Sequence, residues 1–263
     1  MNYDLVLCGV GGQGVLSIAW VIDHAAHEVG LHFKQSEVHG MAQRGGAVSA
    51  FVRLSDQPIS SDLIADGAAS LVVAIEPLEA LRYTRLLRPD GWIATDVTPL
   101  INLDNYPDTN QLYKVLFSAP HLVAVDAMRL AQKAGSIKTQ NMVVLGAAAA
   151  ALPLPAALLE DKLHELFAPK GERIVKANVN AFRKGQAAYG FSTALTQRGI
   201  SSDLVARVTS RINFHPHAVP NDQVNAWAAW LTREEGPADA MALFGNEKGV
   251  AVEWVMEVAD KTC

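Results

Sequence analysis

Hydrophobic and polar positions change period along the chain, and each change marks an element. Residues 3–10, YDLVLCGV, are a short apolar run ending at glycine and predict a strand. In residues 14–30 the apolar side chains Val15, Ile18, Ala19, Ile22, Ala25 and Ala26 recur at helical spacing until Gly30 stops the helix. Residues 31–36, LHFKQS, read as a second strand. The three pieces form a strand, helix, strand unit with the right-handed parallel crossover of a nucleotide-type fold. Residues 37–48 have no period and read as a loop, followed by strands over 47–55 and 70–76, a helix over 77–87 and a strand over 91–97. The proline- and asparagine-rich residues 98–111 predict a surface connection with 106–111 at its tip. Residues 113–119, YKVLFSA, and 122–127 read as strands, and 128–135, 141–152, 154–168 and 171–190 as helices.

This alternation predicts one α/β domain over residues 1–190, with an open, mainly parallel Rossmann-like sheet and flanking helices. Residues 191–263 break the pattern. They predict a mostly helical C-terminal extension, interrupted by Pro216, Pro220 and Pro237, with a single strand signal at 249–258.

Composition narrows the classes of function. The chain has 263 residues, half of them apolar and 19% charged, with a net charge of −5, so a folded domain without a concentrated basic face is expected and nucleic acid is excluded as the main partner. The alanine-rich stretch before Pro153 reads as a buried helix and not a membrane span. The amino-terminal residues carry an acid and a glycine loop where a secretion signal needs basic and apolar residues, so a cytoplasmic location is expected. Two cysteines, Cys8 and Cys263, are too few for an iron–sulfur cluster or a cysteine zinc site.

Two stretches carry candidate chemistry. Gly9, Gly11 and Gly14 fall at the spacing G-x-G-x-x-G between strand and helix, with Gly12 extra and Gln13 placing an amide on the turn. Such a loop lets backbone N–H groups approach a pyrophosphate at a helix N-terminus. A dinucleotide site also wants an acid at the end of the second strand. Glu37 is the nearest, and it falls in the predicted loop. The second stretch, residues 36–46, SEVHGMAQRGG, gathers Glu37, His39, Gln43 and Arg44 ahead of Gly45 and Gly46. Because both stretches follow strands, both are expected at the carboxyl edge of the sheet, where open α/β sheets bind ligands. Arg44, next to Gly45 and Gly46, suits a phosphate or carboxylate, or an acid on another subunit. Glu37 and His39 stand two apart without a third ligand, and His215 and His217 are spaced like a metal pair, but no metal site is assigned. Glu76, Asp96, Asp126 and Asn141 read as caps of turns or helices.

The segments CGVGGQGVL, SEVHGMAQRGGAVSAFVRL, AIEPLEALR, TQNMVVLGA and ANVNAFRKG resemble, in order, the gamma-type domain of 2-oxoacid:ferredoxin oxidoreductases in its separate-chain form, the beta subunit of indolepyruvate ferredoxin oxidoreductases. The resemblance covers residues 1 to about 190 and implies a Rossmann-like fold. It implies oxidative decarboxylation of an aryl 2-oxoacid to an acyl-CoA and CO2, with ferredoxin accepting the electrons. Thiamine diphosphate, Mg2+ and [4Fe-4S] clusters would be carried by a larger alpha subunit, this chain holding no cofactor alone and helping to enclose substrate or coenzyme A. Glu37, His39, Gln43 and Arg44 would then contact the reacting groups, and Gly9, Gly11, Gly12, Gln13, Gly14, Gly45 and Gly46 would approach the ligand with their backbone. Chains of this type end near residue 190, so the extension is a departure that bears on acceptor and substrate. A self-sufficient NAD-dependent dehydrogenase and a non-catalytic scaffold subunit are the competing readings.

Overall fold

The computed structural model describes residues 1–40, 45–101 and 106–243. Six strands form one sheet in the order β2-β3-β1-β4-β5-β6: β1 (Asn2–Val10), β2 (His32–His39), β3 (Ala47–Ser55), β4 (Ala69–Ala74), β5 (Leu87–Asp96) and β6 (Leu122–Val125). β1, β4, β5 and β6 are parallel neighbours, while β3 runs antiparallel between β1 and β2. The mainly parallel α/β sheet is therefore as expected, but the crossover from β1 does not land beside it. β2 and β3 form a hairpin whose second strand occupies that place. Pairing of His32 with Ser55 through His39 with Val48 also extends β2 beyond its predicted end, so Glu37 and His39 stand in a strand and not a loop.

Alternating side chains of the strands fill two cores. Leu5, Leu7, Leu71, Val73, Ala94 and Val123 face α1 (Val15–Glu28), α5 (Gln140–Ala148), α6 (Ala156–Phe167) and α7 (Glu172–Gln197). Val6, Cys8, Val72, Ala74, Ile93 and Ala124 face the other side, toward α2 (Pro77–Arg82) and α3 (Thr109–Phe117). Every residue of β4 is buried, which explains the unbroken apolar run of a strand covered on both faces. Asp4 at the start of β1 is largely buried and pairs with Arg53, whose Nε lies 2.8 Å from its carboxylate.

Two sequence expectations fail around residues 106–119. YKVLFSA is helical: α3 buries Leu112 and Leu116, four residues apart, and exposes Val115. Tyr106 is not at a solvent tip, since its hydroxyl donates to Glu76 at 2.5 Å. After α4 (Ala127–Ala134) come α5 and, beyond α6, the long α7, which passes residue 190 without a break. α8 (Ser202–Thr209), α9 (Asn221–Leu231) and α10 (Gly236–Leu243) follow. Val205, Phe214, Trp227 and Leu231 join the same core as α5 and α7, and Ala206 reaches the second core. The strand signal at 249–258 and Cys263 lie outside the described residues.

α5 and α7 cross with backbone against backbone. A Cβ on Gly146 would stand 1.9 Å from the carbonyl oxygen of Phe182, and one on Gly185 would stand 2.0 Å from that of Val143. Gly185→Ala is therefore expected to destabilise the fold by about 1–3 kcal/mol as an overpacked core does. The check is thermal unfolding, in which the melting temperature should fall by roughly 2–4 °C for each kcal/mol, while Gly190→Ala on the open face of α7, where an added Cβ has nothing within 4 Å, should not lower it.

Candidate functional site

β1 ends at the glycine loop, and the turn of the β2–β3 hairpin comes back to meet it. The Gly11 N–H donates to the Gly46 carbonyl at 2.8 Å, and the Gly45 N–H donates to the Gly11 carbonyl at 3.5 Å. The two stretches marked in the sequence are thus joined through backbone at the carboxyl edge, as expected. Gly12, Gly14 and Gly45 have φ of 101°, 84° and 80°, a region that strongly favours glycine, so the loop owes its shape to these positions. Gly9 serves packing: a Cβ there would meet Gln13 Oε1 at 2.9 Å and Ile75 at 3.3 Å.

Gln13 is spent on the loop itself. Its Oε1 accepts from the Val10 N–H at 2.7 Å and its Nε2 donates to the Ile75 carbonyl at 3.2 Å, which ties the turn after β1 to the end of β4. Asn141 does not cap α5. Its Nδ2 donates to the Gly14 carbonyl at 3.1 Å, and its Oδ1 accepts from the Met142 N–H. The start of α5 is thereby latched to the start of α1, whose N-cap, Gly14, offers no side-chain acceptor and whose first turn carries no acid. The positive end of the helix dipole is left without a neutralising carboxylate from its own first turn.

A cavity of about 440 Å3 opens at this helix end. Gly12, Gln13, Gly14 and Ser17 form one side, and Lys138, Asn141, Lys170 and Asn178 bring charge and amides from α5, α7 and the turns before them. The sequence reading missed these four. Asn141 and Asn178 lay within quoted motifs, and their polar side chains interrupt apolar helix faces, which is the signal that identifies them. The lysines had no comparable mark.

Glu37 and His39 share one face of β2. His39 Nε2 lies 2.8 Å from Glu37 Oε2, and Gln35 Nε2 donates to Glu37 Oε1 at 2.6 Å. Both side chains are partly exposed, and neither lines the glycine-loop cavity. Gln43 and Arg44 lie outside the described residues. With β3 interposed, Glu37 stands two strands from the glycine loop, about 10 Å at ordinary strand spacing. It is a poor match for the ribose-binding acid of a dinucleotide fold. Among the described residues no group of three or more His, Cys, Asp or Glu is arranged to hold a metal ion, and no helix is long and apolar enough to cross a membrane.

Buried acids surround this edge. Glu76 caps α2 through the Glu79 N–H at 2.9 Å and also accepts from Leu100 N–H and Tyr106. Asp126 caps α4 through the Arg129 N–H at 2.9 Å. Asp96 is fully buried, accepts from the N–H groups of Thr98 and Ala127 and from the Gln140 amide, and is pushed up to about 7 by burial against the pull of those donors. Asp23 on α1 is also pushed up to about 7, by burial and then by the nearby Glu37, and its Oδ1 has no hydrogen-bond partner.

A family model described as pyruvate ferredoxin/flavodoxin oxidoreductase matches residues 4–188. The indolepyruvate oxidoreductase subunit IorB of Methanothermobacter thermautotrophicus is 37% identical over 194 residues, 70% of this chain and 96% of the relative. Among solved structures, 2-oxoglutarate:ferredoxin oxidoreductase from Magnetococcus marinus with 2-oxoglutarate, coenzyme A and succinyl-CoA bound superposes with a TM-score of 0.58 at 21% identity, covering 72% of this chain and 31% of that one. The keto/oxoacid ferredoxin oxidoreductase gamma subunit from Geobacter sulfurreducens gives 0.50 at 23% identity, covering 70% and 94%.

Asp23 makes a prediction about pH. Its ordinary value is 3.8 and its folded value about 7. Between those values the folded state holds a proton that the unfolded state has lost, so stability falls as pH rises through this window and the burial cost is complete above about 7. Asp96 acts in the same direction. Urea unfolding at pH 5 and pH 8 should show wild type losing stability at the higher pH and Asp23→Asn losing less, with Asp96 and Glu79, both raised by burial, contributing to the remaining slope.

Proposed function

The chain belongs to the pyruvate ferredoxin/flavodoxin oxidoreductase family, and from that footing we propose that it is the small subunit of a 2-oxoacid:ferredoxin oxidoreductase of the indolepyruvate type, inactive until a larger subunit joins it. The reaction is oxidative decarboxylation of an aryl 2-oxoacid, with release of CO2, transfer of the acyl group to coenzyme A and passage of two electrons to ferredoxin. Thiamine diphosphate, held by the partner, would supply the decarboxylation chemistry. With two cysteines this chain cannot hold a [4Fe-4S] cluster, and in this reading the clusters and the thiamine diphosphate with its Mg2+ belong to the partner.

The observation that carries the proposal is the glycine-loop cavity. Backbone N–H groups at the start of α1 and two lysines stand around one opening, a donor set that suits the phosphates of coenzyme A. Asn141 keeps the Gly14 carbonyl occupied and turned away from an anionic ligand. Lys138 and Lys170 balance its charge. The hairpin turn carrying Gly45 and Gly46 forms the adjoining wall, and the partner subunit completes the enclosure and excludes water. In this arrangement Glu37 and His39, on the exposed face of β2, meet the partner rather than the ligand held by the glycine loop.

The test is reconstitution. The chain alone should reduce neither a viologen dye nor NAD with an aryl 2-oxoacid and coenzyme A, and activity should appear on adding the larger subunit. Turnover by the chain alone, with NAD or without it, overturns the assignment. In the assembled enzyme Lys138→Ala and Lys170→Ala should each raise the KM for coenzyme A about tenfold, the loss of one charged contact, with little change in kcat. An unchanged KM in both variants would remove coenzyme A from this cavity.

A further inference from the structure

A second cavity, of about 530 Å3, lies at the same sheet edge beyond the carboxyl ends of β5 and β6. Its volume falls in the range of roughly 300–1,000 Å3 typical of small-molecule sites. One side comes from the family domain: Thr98 after β5, the first turn of α3 at Thr109, and Asp126 and Arg129 at the start of α4. The other comes from the extension, with Arg207 on α8 and Arg211 just after it. Arg129, Arg207 and Arg211 therefore line one space in which Asp126 is the one carboxylate among the described lining residues.

Two of the three are already held. Arg129 Nη2 pairs with Asp126 at 2.9 Å, and Arg207 pairs with Asp203 at 2.9 Å while lying 5.3 Å from the centre of the Phe117 ring. The Arg211 side chain is half-buried and makes no hydrogen bond or ion pair among the described residues, and Arg129 Nη1 is likewise buried without a hydrogen-bond partner among them. A cation drawn from water without a counter-charge is costly, and an anion in the cavity removes that cost. Beside the arginines, the stacked rings of Tyr113 and Phe117, with centres 5.6 Å apart and planes within 11°, form an apolar wall. The Tyr113 hydroxyl is held by the Val97 carbonyl at 2.6 Å.

We propose that this cavity is a second ligand site, binding a small organic anion whose oxyanion head sits on Arg211 and Arg129 and whose body lies against Tyr113 and Phe117. The site exists only because the extension supplies Arg211. It lies apart from the glycine loop and does not depend on what that loop holds.

The test is isothermal titration of the full-length chain with two probes, inorganic phosphate and phenylacetate. At least one should bind saturably. Binding of phosphate alone assigns a phosphate head, binding of phenylacetate alone assigns a carboxylate with an apolar body, and binding of both assigns recognition of the oxyanion itself. Arg211→Gln should weaken the bound probe about tenfold, as the loss of one forked contact does, while Lys176→Ala, on the exposed side of α7 and outside both cavities, leaves it unchanged. Circular dichroism checks the fold. If Arg211→Gln loses helix, Arg211→Lys, which keeps charge and stem but not the fork, makes the same comparison. Absence of saturable binding by either probe overturns the proposal, as does affinity unchanged by the Arg211 substitution or lowered equally by Lys176→Ala.

Discussion

The placement of every functional group described above depends on one close approach, that of α5 to α7 at Gly146 and Gly185. With no side chain between them, the two backbones touch, and a Cβ on either residue would fall inside the carbonyl of the facing helix. That contact sets α5 against the sheet at a depth where Asn141 reaches Gly14. It also fixes α7 as a rail 26 residues long. The start of α7 lines the glycine-loop cavity through Ile174, Ala177 and Asn178, and its later turns carry the extension. There the buried Lys184 donates to the Phe214 carbonyl, and Phe191 meets Trp227 edge to face. A shift at the glycine crossing would therefore move both ends of the molecule together.

The buried acids at the sheet edge have a structural rather than catalytic logic. Glu76 after β4 and Asp96 at the end of β5 each accept hydrogen bonds from the segment that follows and from a second, distant element: Tyr106 for Glu76, Ala127 and Gln140 for Asp96. Each collects donors from the loop, helix start or side chain that passes the strand end, which a buried acid needs. Asp96 is raised by burial despite three donors, which shows that desolvation outweighs hydrogen bonding at a fully buried position. Asp23 is the exception. One of its oxygens has no partner, and it faces Glu37 on β2. Its position on the inward stripe of α1, four residues after Ala19, was visible in the helical period.

The strand and helix alternation was legible because most elements have strong periods, and the meeting of the glycine loop with the hairpin turn followed from strand direction alone. The failures have definite causes. YKVLFSA alternates Tyr113, Val115 and Phe117 with Lys114 and Ser118, so a period of two masked Leu112 and Leu116 at helical spacing. The antiparallel insertion of β3 was hidden because a hairpin and a crossover leave the same apolar runs, and only the partner assigned to β1 differs. Gln13 and Asn141 were read as outward or capping groups. Their true partners, Ile75 and Gly14, are 62 and 127 residues away along the chain, beyond any local pattern.

The sheet order explains why one edge carries two anion-friendly cavities built by different means. β1 lies inside the sheet, with β3 on one side and β4 on the other, so chain connections diverge from its carboxyl end and leave a crevice there. Backbone N–H groups can approach at that crevice because its loop is built of glycines, with Lys138 and Lys170 beside them. At β5 and β6 no such loop exists, and the donors must be side chains. Helix α8 supplies them while Ala206 on the same helix closes the second core, so the extension completes the packing and lines the cavity with the same eight residues and their flank. The Methanothermobacter relative aligns over nearly its whole length yet covers only 70% of this chain. Since the family match stops at residue 188, the guanidinium groups of Arg207 and Arg211 belong to what this chain adds to the shared fold.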